Sequence, residues 1–227
     1  LEHLFPHDYS TFHFSYHSET IPDQNWNEEW EKSFTPVCVE DFCRVRASFH
    51  AADTTVKYDI IITPKMSFGT GHHSTTHLMI KVMSELDFSG KRVLDFGTGT
   101  GILAILAERM GAVEVLATDL DPWSIENARE NLLENKCSRV ALDLCEGLAE
   151  VKGPFDVILA NINRNVLLQE MGQMASKVRK GGVLILSGFL TNDLIEIENA
   201  SAACNLLIDR ALEKTSWLVV VAYPSTS

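Results

Sequence analysis

From residue 74 onward the sequence alternates helical periodicity with short apolar runs, and that alternation leaves few folds open. STTHLMIKVMSEL (74–86) has helical spacing, and RVLDF (92–96) is a short apolar strand. ILAILAERM (102–110) reads as a helix stopped by Gly111, and EVLATD (114–119) as the next strand. PWSIENARENLLEN (122–135) is a helix with Asp121 as its N-cap and Pro122 at its first position. RVALDL (139–144) and FDVILA (155–160) are strands, and VLLQEMGQMASKVRK (166–180) is a helix closed by Gly181-Gly182. VLILSGF (183–189) is a strand and NDLIEIENASAAC (192–204) a helix. LLIDRALEKTSWLVVVAY (206–223) reads as two strands turning at Glu213-Lys214. Strands alternating with helices over short links predict an α/β fold with a parallel, doubly wound sheet, the final strand pair forming an antiparallel edge.

The first third is organised differently. TFHFSYHS (11–18) alternates, with Phe12, Phe14 and Tyr16 on one face of a strand. NWNEEWEKSF (25–34) sets Trp26, Trp30 and Phe34 on one helical stripe, opened by a capping-box-like Asn25 and Glu28. Those aromatics suit a short linker helix docked on the chain's own domain, or a surface for a substrate. VCVEDFCRVRASF (37–49) and YDIIIT (58–63) read as strands. The sequence opens without methionine and with a strand that has nothing upstream to pair with. That suggests a chain shortened at its N-terminus.

A net charge of −12 argues against binding a phosphate backbone, which needs a basic face; it suits solubility or a basic protein partner. Cys38, Cys43, Cys137, Cys145 and Cys204 are odd in number and contain no C-x-x-C spacing, so buried or incidental thiols in a reducing cytoplasm are expected. The chain has no run of 18 apolar residues and no signal-peptide pattern, so no membrane span is expected.

Asp95-Phe96-Gly97-Thr98-Gly99-Thr100-Gly101 follows a strand and opens a helix, where glycines let the backbone turn sharply and approach a ligand. A dinucleotide fingerprint would place Gly or Ala where Ile102 stands, and no triphosphate loop is present. An acid followed by G-x-G-x-G is instead the pattern of S-adenosylmethionine methyltransferases. Asp95 can attract the ligand's ammonium, directly or through water. Asp119, at the end of the next strand, is placed to accept both ribose hydroxyls, with Leu120 against the adenine. Asn161 stands where ligands bind in such sheets and is equally compatible with a turn residue.

PKMSFGTGHHSTTH (64–77) carries a second Gly-Thr-Gly turn and three histidines. His73 and His77 have the spacing of a metal pair, but no glutamate lies between them and no third ligand is apparent, so no metal is expected. Ser74, Thr75 and Thr76 give the helix a hydroxyl-rich first turn whose N–H groups suit a carboxylate.

Taken together, PKMSFGTGHHSTT, VLDFGTGTGILAI, ATDLDP, FDVILANI, KGGVLILSG and the late Trp217 resemble PrmA, the family that methylates the eleventh protein of the large ribosomal subunit. The resemblance runs from about Trp26 to about Val221. It implies a seven-stranded, Rossmann-like class I methyltransferase sheet with an antiparallel last strand, preceded by a linker helix and a small α+β substrate-recognition domain. On that pattern residues 1–22 are the remnant of the recognition domain, 23–35 the linker helix and 36–227 the methyltransferase domain. Thr76, Gly97, Asp119 and Asn161 fall on positions that bind S-adenosylmethionine, together with Asp95, Thr98, Gly99 and Leu120. Phe68, Gly69, Thr70 and Gly71 form the loop over the methionine end, and Asn161 also stands where the acceptor amine arrives, as the catalytic residue. His72 replaces a threonine that many members carry.

The resemblance further implies an enzyme that methylates lysine side-chain and N-terminal α-amines of that ribosomal protein; with the charge, cysteine and hydropathy readings above, a cytoplasmic monomer with no direct nucleic-acid binding and no membrane contact is expected. Two other classes stay open on the sequence. One is a methyltransferase of another protein or a small molecule; the other is a noncatalytic cofactor-binding domain.

Overall fold

The chain divides into two compact units, Leu1–Phe34 and Thr35–Ser227. The computed structural model describes residues 35–63 and 71–225, all within the second unit. The strand expected over 11–18 and the helix over 25–34 lie outside the described residues, as do Phe68, Gly69 and Thr70.

Seven strands form one sheet: β4 (Arg92–Phe96), β5 (Glu114–Asp119), β6 (Val140–Leu144), β7 (Phe155–Asn161), β8 (Val178–Leu190), β9 (Leu206–Lys214) and β10 (Trp217–Pro224). Their order is β6-β5-β4-β7-β8-β10-β9. Pairing is parallel from β6 through β8, and β10 runs antiparallel to both β8 and β9. As expected, the final pair forms one edge of the sheet and the last strand, β10, is reversed. It slots between β8 and β9, which leaves β9 outermost.

Among the described residues, five α-helices flank the sheet: α1 (Ser74–Ser84), α2 (Ile102–Arg109), α3 (Pro122–Glu134), α4 (Arg164–Lys177) and α5 (Leu194–Ala203). Side chains alternate across a strand, so each strand serves two cores. Val93, Val157, Leu159 and Val219 pack with α1, α2 and Leu132 of α3 on one face. Leu94, Ile158, Ala160 and Val220 pack with Leu167, Met171 and Met174 of α4 and Ile197 of α5 on the other.

Three boundaries differ from expectation. Residues 37–49 do not form one strand: β1 (Val37–Val39) turns back onto β2 (Cys43–Arg46), with Glu40 at φ 52 in the turn. β3 (Tyr58–Ile61) pairs parallel to β2, completing a separate three-stranded sheet. The helix expected over 166–180 begins earlier, capped by Asn163, and stops at Lys177. Val178 is buried and pairs with Phe155, while Arg179 pairs with Asp156, so tertiary contacts take these residues into β8 and carry the strand through both glycines. The final hairpin turns at Thr215-Ser216, two residues beyond Glu213-Lys214; both have positive φ (49 and 64). A two-residue turn of this hand matches the twist of the flanking strands.

Candidate functional site

Strand order reverses between β4 and β7: the chain runs outward through β5 and β6 and then returns to β4's other side. The crevice beyond the carboxyl ends at such a point is where open α/β sheets bind ligands. The register levels those ends. Phe96 lies opposite both Thr118 and Ala160, and Asn161 opposite Ser187. Gly97, Asp119, Asn161 and Gly188 consequently arrive on one rim, around a cavity of about 450 Å³. That is within the roughly 300–1,000 Å³ typical of small-molecule sites.

The glycine turn is held by backbone and side-chain bonds together. Gly97 N–H and Thr98 N–H both donate to the Thr118 carbonyl at 2.9 Å. Gly99 N–H donates to Asp119 Oδ2 at 2.9 Å, and Asp121 N–H to Asp119 Oδ1 at 3.0 Å. These bonds fix the Asp119 carboxylate at the cavity wall, with lone pairs to spare for a ligand, because each carboxylate oxygen can accept more than one hydrogen bond.

Asp95 sits beneath the turn, 1% exposed. Thr98 Oγ1 donates to its Oδ2 at 2.6 Å, while Oδ1 has no protein partner. Burial pushes its carboxyl up to about 7; the Thr98 bond and the Ala104 backbone N–H oppose this, and the Asp119 charge adds to it. Thr98 lines the cavity and Asp95 does not, so Asp95 acts on the cavity from behind Thr98.

Asn161 ends β7 at the cavity, its Oδ1 buried and without a partner. The residue after it is gripped from two sides. Gly97 has φ +74, and a Cβ there would lie 2.1 Å from Ile162 Cγ2. Gly188 has φ +99, and its Cβ would lie 2.0 Å from the Ile162 carbonyl oxygen. Ile162 N–H also donates to the Ser187 carbonyl. Two glycines thus make the space that sets the Asn161 side chain at the rim. Sequence reasoning missed Gly188 and Ile162, since a glycine closing an apolar strand carries no local sign of what packs on it.

Across the cavity, α1 presents Thr75 and Thr76, both fully buried; Thr76 Oγ1 has no partner. His73 is the N-cap of α1, accepting from Thr75 N–H through Nδ1, and its ring stands edge-on to Trp217 at 4.7 Å. The cap is therefore a histidine, with the hydroxyls of Ser74–Thr76 inside the first turn. His72 Nε2 instead contacts the Thr35 carbonyl, and burial lowers the His77 pKa. The three histidines have separate environments, and among the described residues no three His, Cys, Asp or Glu side chains converge. Leu120 lines the cavity; Gly71 does not, and a Cβ on it would lie 3.1 Å from Val45 of β2. Trp217 and Glu170 also face the cavity, Glu170 accepting from Leu148 N–H at 3.0 Å.

The family model of the ribosomal protein L11 methyltransferase (PrmA) matches residues 2–224. The chain belongs to the PrmA family. A ribosomal protein L11 methyltransferase of Porphyromonas gingivalis is 42% identical over 94% of this chain and 74% of its own length. A ribosomal protein L11 methylase of Lactobacillus delbrueckii subsp. bulgaricus shares the fold with a TM-score of 0.78 at 30% identity, covering 85% of this chain and all of that one. A magnesium protoporphyrin IX methyltransferase of Synechocystis, solved with bound SAM, superposes with a TM-score of 0.56 at 18% identity over 67% of this chain and 78% of its own. At that identity the likeness shows the methyltransferase fold alone. The chemistry inside the cavity follows from the residues that line it.

Proposed function

We propose that this chain transfers methyl groups from S-adenosylmethionine to amines of ribosomal protein L11, both lysine side-chain and N-terminal α-amines. The observation that supports this most is the unpartnered, buried Asn161 Oδ1 on the same rim as Gly97, Gly99 and Asp119 in a chain of the PrmA family.

The residues present fit the cofactor. Asp119 is locked with acceptors to spare for two ribose hydroxyls, and Leu120 supplies an apolar face beside it for the adenine. Thr76 Oγ1, on the cavity wall, is a buried polar atom lacking a partner, a cost that a ligand's carboxylate would relieve, while the Asp95 carboxylate would attract the ligand's ammonium from behind Thr98. The Gly97–Gly99 turn is the close backbone approach between them. Phe68, Gly69, Thr70 and Gly71 would cover the methionine end. When bound, the cofactor supplies an electrophilic methyl on a sulfonium.

The chain's own task is then to present a neutral amine. A lysine of ordinary pKa costs about 4.6 kcal/mol to deprotonate at pH 7, an α-amine only about 1 to 1.4 kcal/mol. The Asn161 carbonyl accepts a hydrogen bond from the acceptor nitrogen and aims its lone pair into the cavity, so the contribution is chiefly positioning. Trp217 and His73 wall the cavity and exclude water from that nitrogen. Residues 1–22 belong, on this proposal, to a substrate-recognition domain, 23–35 to a linker helix and 36–227 to the methyltransferase domain.

The test is transfer of labelled methyl from S-adenosylmethionine to purified ribosomal protein L11, beside other ribosomal proteins and a metabolite extract. Label confined to lysine and α-amine positions of L11 is expected. Label in a metabolite or another protein, or none despite measurable binding of S-adenosylhomocysteine, would refute the assignment.

A further inference from the structure

Helix α3 carries three asparagines at successive turns, Asn127, Asn131 and Asn135, all buried and none of them lining the cavity. Polar side chains at this depth are costly unless bonded. Asn135, at the C-cap, forms a two-way clamp on β3: its Oδ1 accepts from Ile61 N–H at 3.0 Å and its Nδ2 donates to the Ile61 carbonyl at 2.6 Å. Asn131 does something else. Its Oδ1 accepts from Thr63 N–H at 2.8 Å, just past β3, while its Nδ2 donates to the Thr100 carbonyl at 2.9 Å, inside the glycine turn. One fully buried amide therefore joins the small sheet to the turn.

The turn has reason to need such a tie. Gly97, Gly99 and Gly101 all hold positive φ, so no side chain of theirs restrains it. Other bonds anchor it to the ends of β4 and β5 and to itself: Gly97 and Thr98 to Thr118, Gly99 to Asp119, Thr98 to Asp95, and Gly101 N–H to the Thr98 carbonyl. The Asn131 bond comes from outside that group, at the C-terminal half of the turn. It is within reach because a Cβ on Gly101 would lie 3.3 Å from Ala128 Cβ, so α3 runs close to the turn.

We propose that Asn131 is a positioning residue for the methyl donor: it fixes the glycine turn against β3, so donor affinity depends on an amide that never touches the ligand. The inference rests on the reading that the Gly97–Gly99 turn binds S-adenosylmethionine. Asn131→Asp keeps the acceptor for Thr63 N–H but turns a carboxylate oxygen toward the Thr100 carbonyl. Asn131→Ala removes both bonds, and carries the comparison if the buried carboxylate prevents folding. Asn135→Ala unties Ile61 and the bond from Asn135 Nδ2 to the Asn131 carbonyl, and removes no bond made to the turn itself.

The experiment is calorimetric titration of the full chain with S-adenosylhomocysteine, each variant held well below its own melting temperature, followed by steady-state methyl transfer. Both Asn131 variants are expected to weaken S-adenosylhomocysteine at least tenfold and to raise KM for the donor by a similar factor, with KM for the protein acceptor unchanged. Asn135→Ala should melt earlier yet bind within twofold of wild type. General loosening would lower the active fraction without moving either KM. The inference is overturned if the folded Asn131 variants bind within twofold of wild type, or if Asn135→Ala weakens binding as much as they do. Failure of the wild-type chain to bind S-adenosylhomocysteine at all would overturn the reading of the cavity itself, and with it this dependence.

Discussion

Replacing Asp95 by asparagine should make the empty protein more stable and the donor site weaker, with pH dependences that identify the carboxyl as the cause. Asp95 has an ordinary pKa of 3.8 that burial raises to about 7. Below 3.8 the carboxyl is protonated in both folded and unfolded chains and costs nothing. Between the two values the folded chain holds a proton that the unfolded chain has lost, so stability falls as pH rises. Above about 7 the full cost persists. A rise of that size corresponds to on the order of 4 kcal/mol. Asparagine keeps an acceptor for Thr98 Oγ1 and carries no charge, so Asp95→Asn should stabilise the ligand-free chain by several kcal/mol at pH 8, and by little near pH 4.

Ligand binding should respond the other way. If binding of the ligand's ammonium requires the ionised carboxylate behind Thr98, the competent fraction climbs from about 3% at pH 5.5 to about half at pH 7, so affinity rises about fifteenfold. Chemical denaturation at pH 4 and 8, with calorimetric titration of S-adenosylhomocysteine between pH 5.5 and 7, reads both arms. Asp95→Asn should flatten the affinity profile and bind more weakly at pH 7. A wild-type affinity constant within twofold across that range would refute the argument. So would a variant that keeps the wild-type slope, because the titration would then belong to another group.

Asn161→Ala should cut turnover roughly 100-fold, the scale of a misplaced reactant, while S-adenosylhomocysteine affinity changes by less; stopped-flow methyl transfer at saturating donor distinguishes the two. Gly188→Ala places a Cβ 2.0 Å from the Ile162 carbonyl oxygen on a backbone at φ +99, and should cost more than about 3 kcal/mol or prevent folding, read by thermal melting. Ser216→Gly relieves a left-handed residue in the exposed β9–β10 turn and should stabilise by about 1 kcal/mol, with KM for the donor unmoved.

Much of the architecture was legible in the chain. β4, β5 and α3 begin within a residue of the stretches read from apolar periodicity and from the Asp121-Pro122 start, because those signals are local. Where boundaries moved, long-range partners moved them. Nothing in VRKGG announces a strand until Phe155 and Asp156 stand beside it. The 37–49 run hid a hairpin because Glu40 and Asp41 break it without glycine or proline.

The site divides in the same way. The glycine turn, Asp119 and Asn161 were readable because each sits at the end of a recognisable strand, where this class of sheet binds ligands. Gly188, Ile162 and the Asn131 amide were not: their roles are relations between segments distant in sequence, and a residue's spacing along the chain does not encode what packs across it. By itself the sequence determined the period of each element, and so the α/β class and the acidic and glycine positions at the strand ends. Only the tertiary structure decided that β10 inserts inside the sheet, that two glycines seat Ile162, and that one buried asparagine joins the turn to a second sheet. Those outcomes depend on close packing and hydrogen-bond satisfaction in the assembled core, which exist only once the chain has folded.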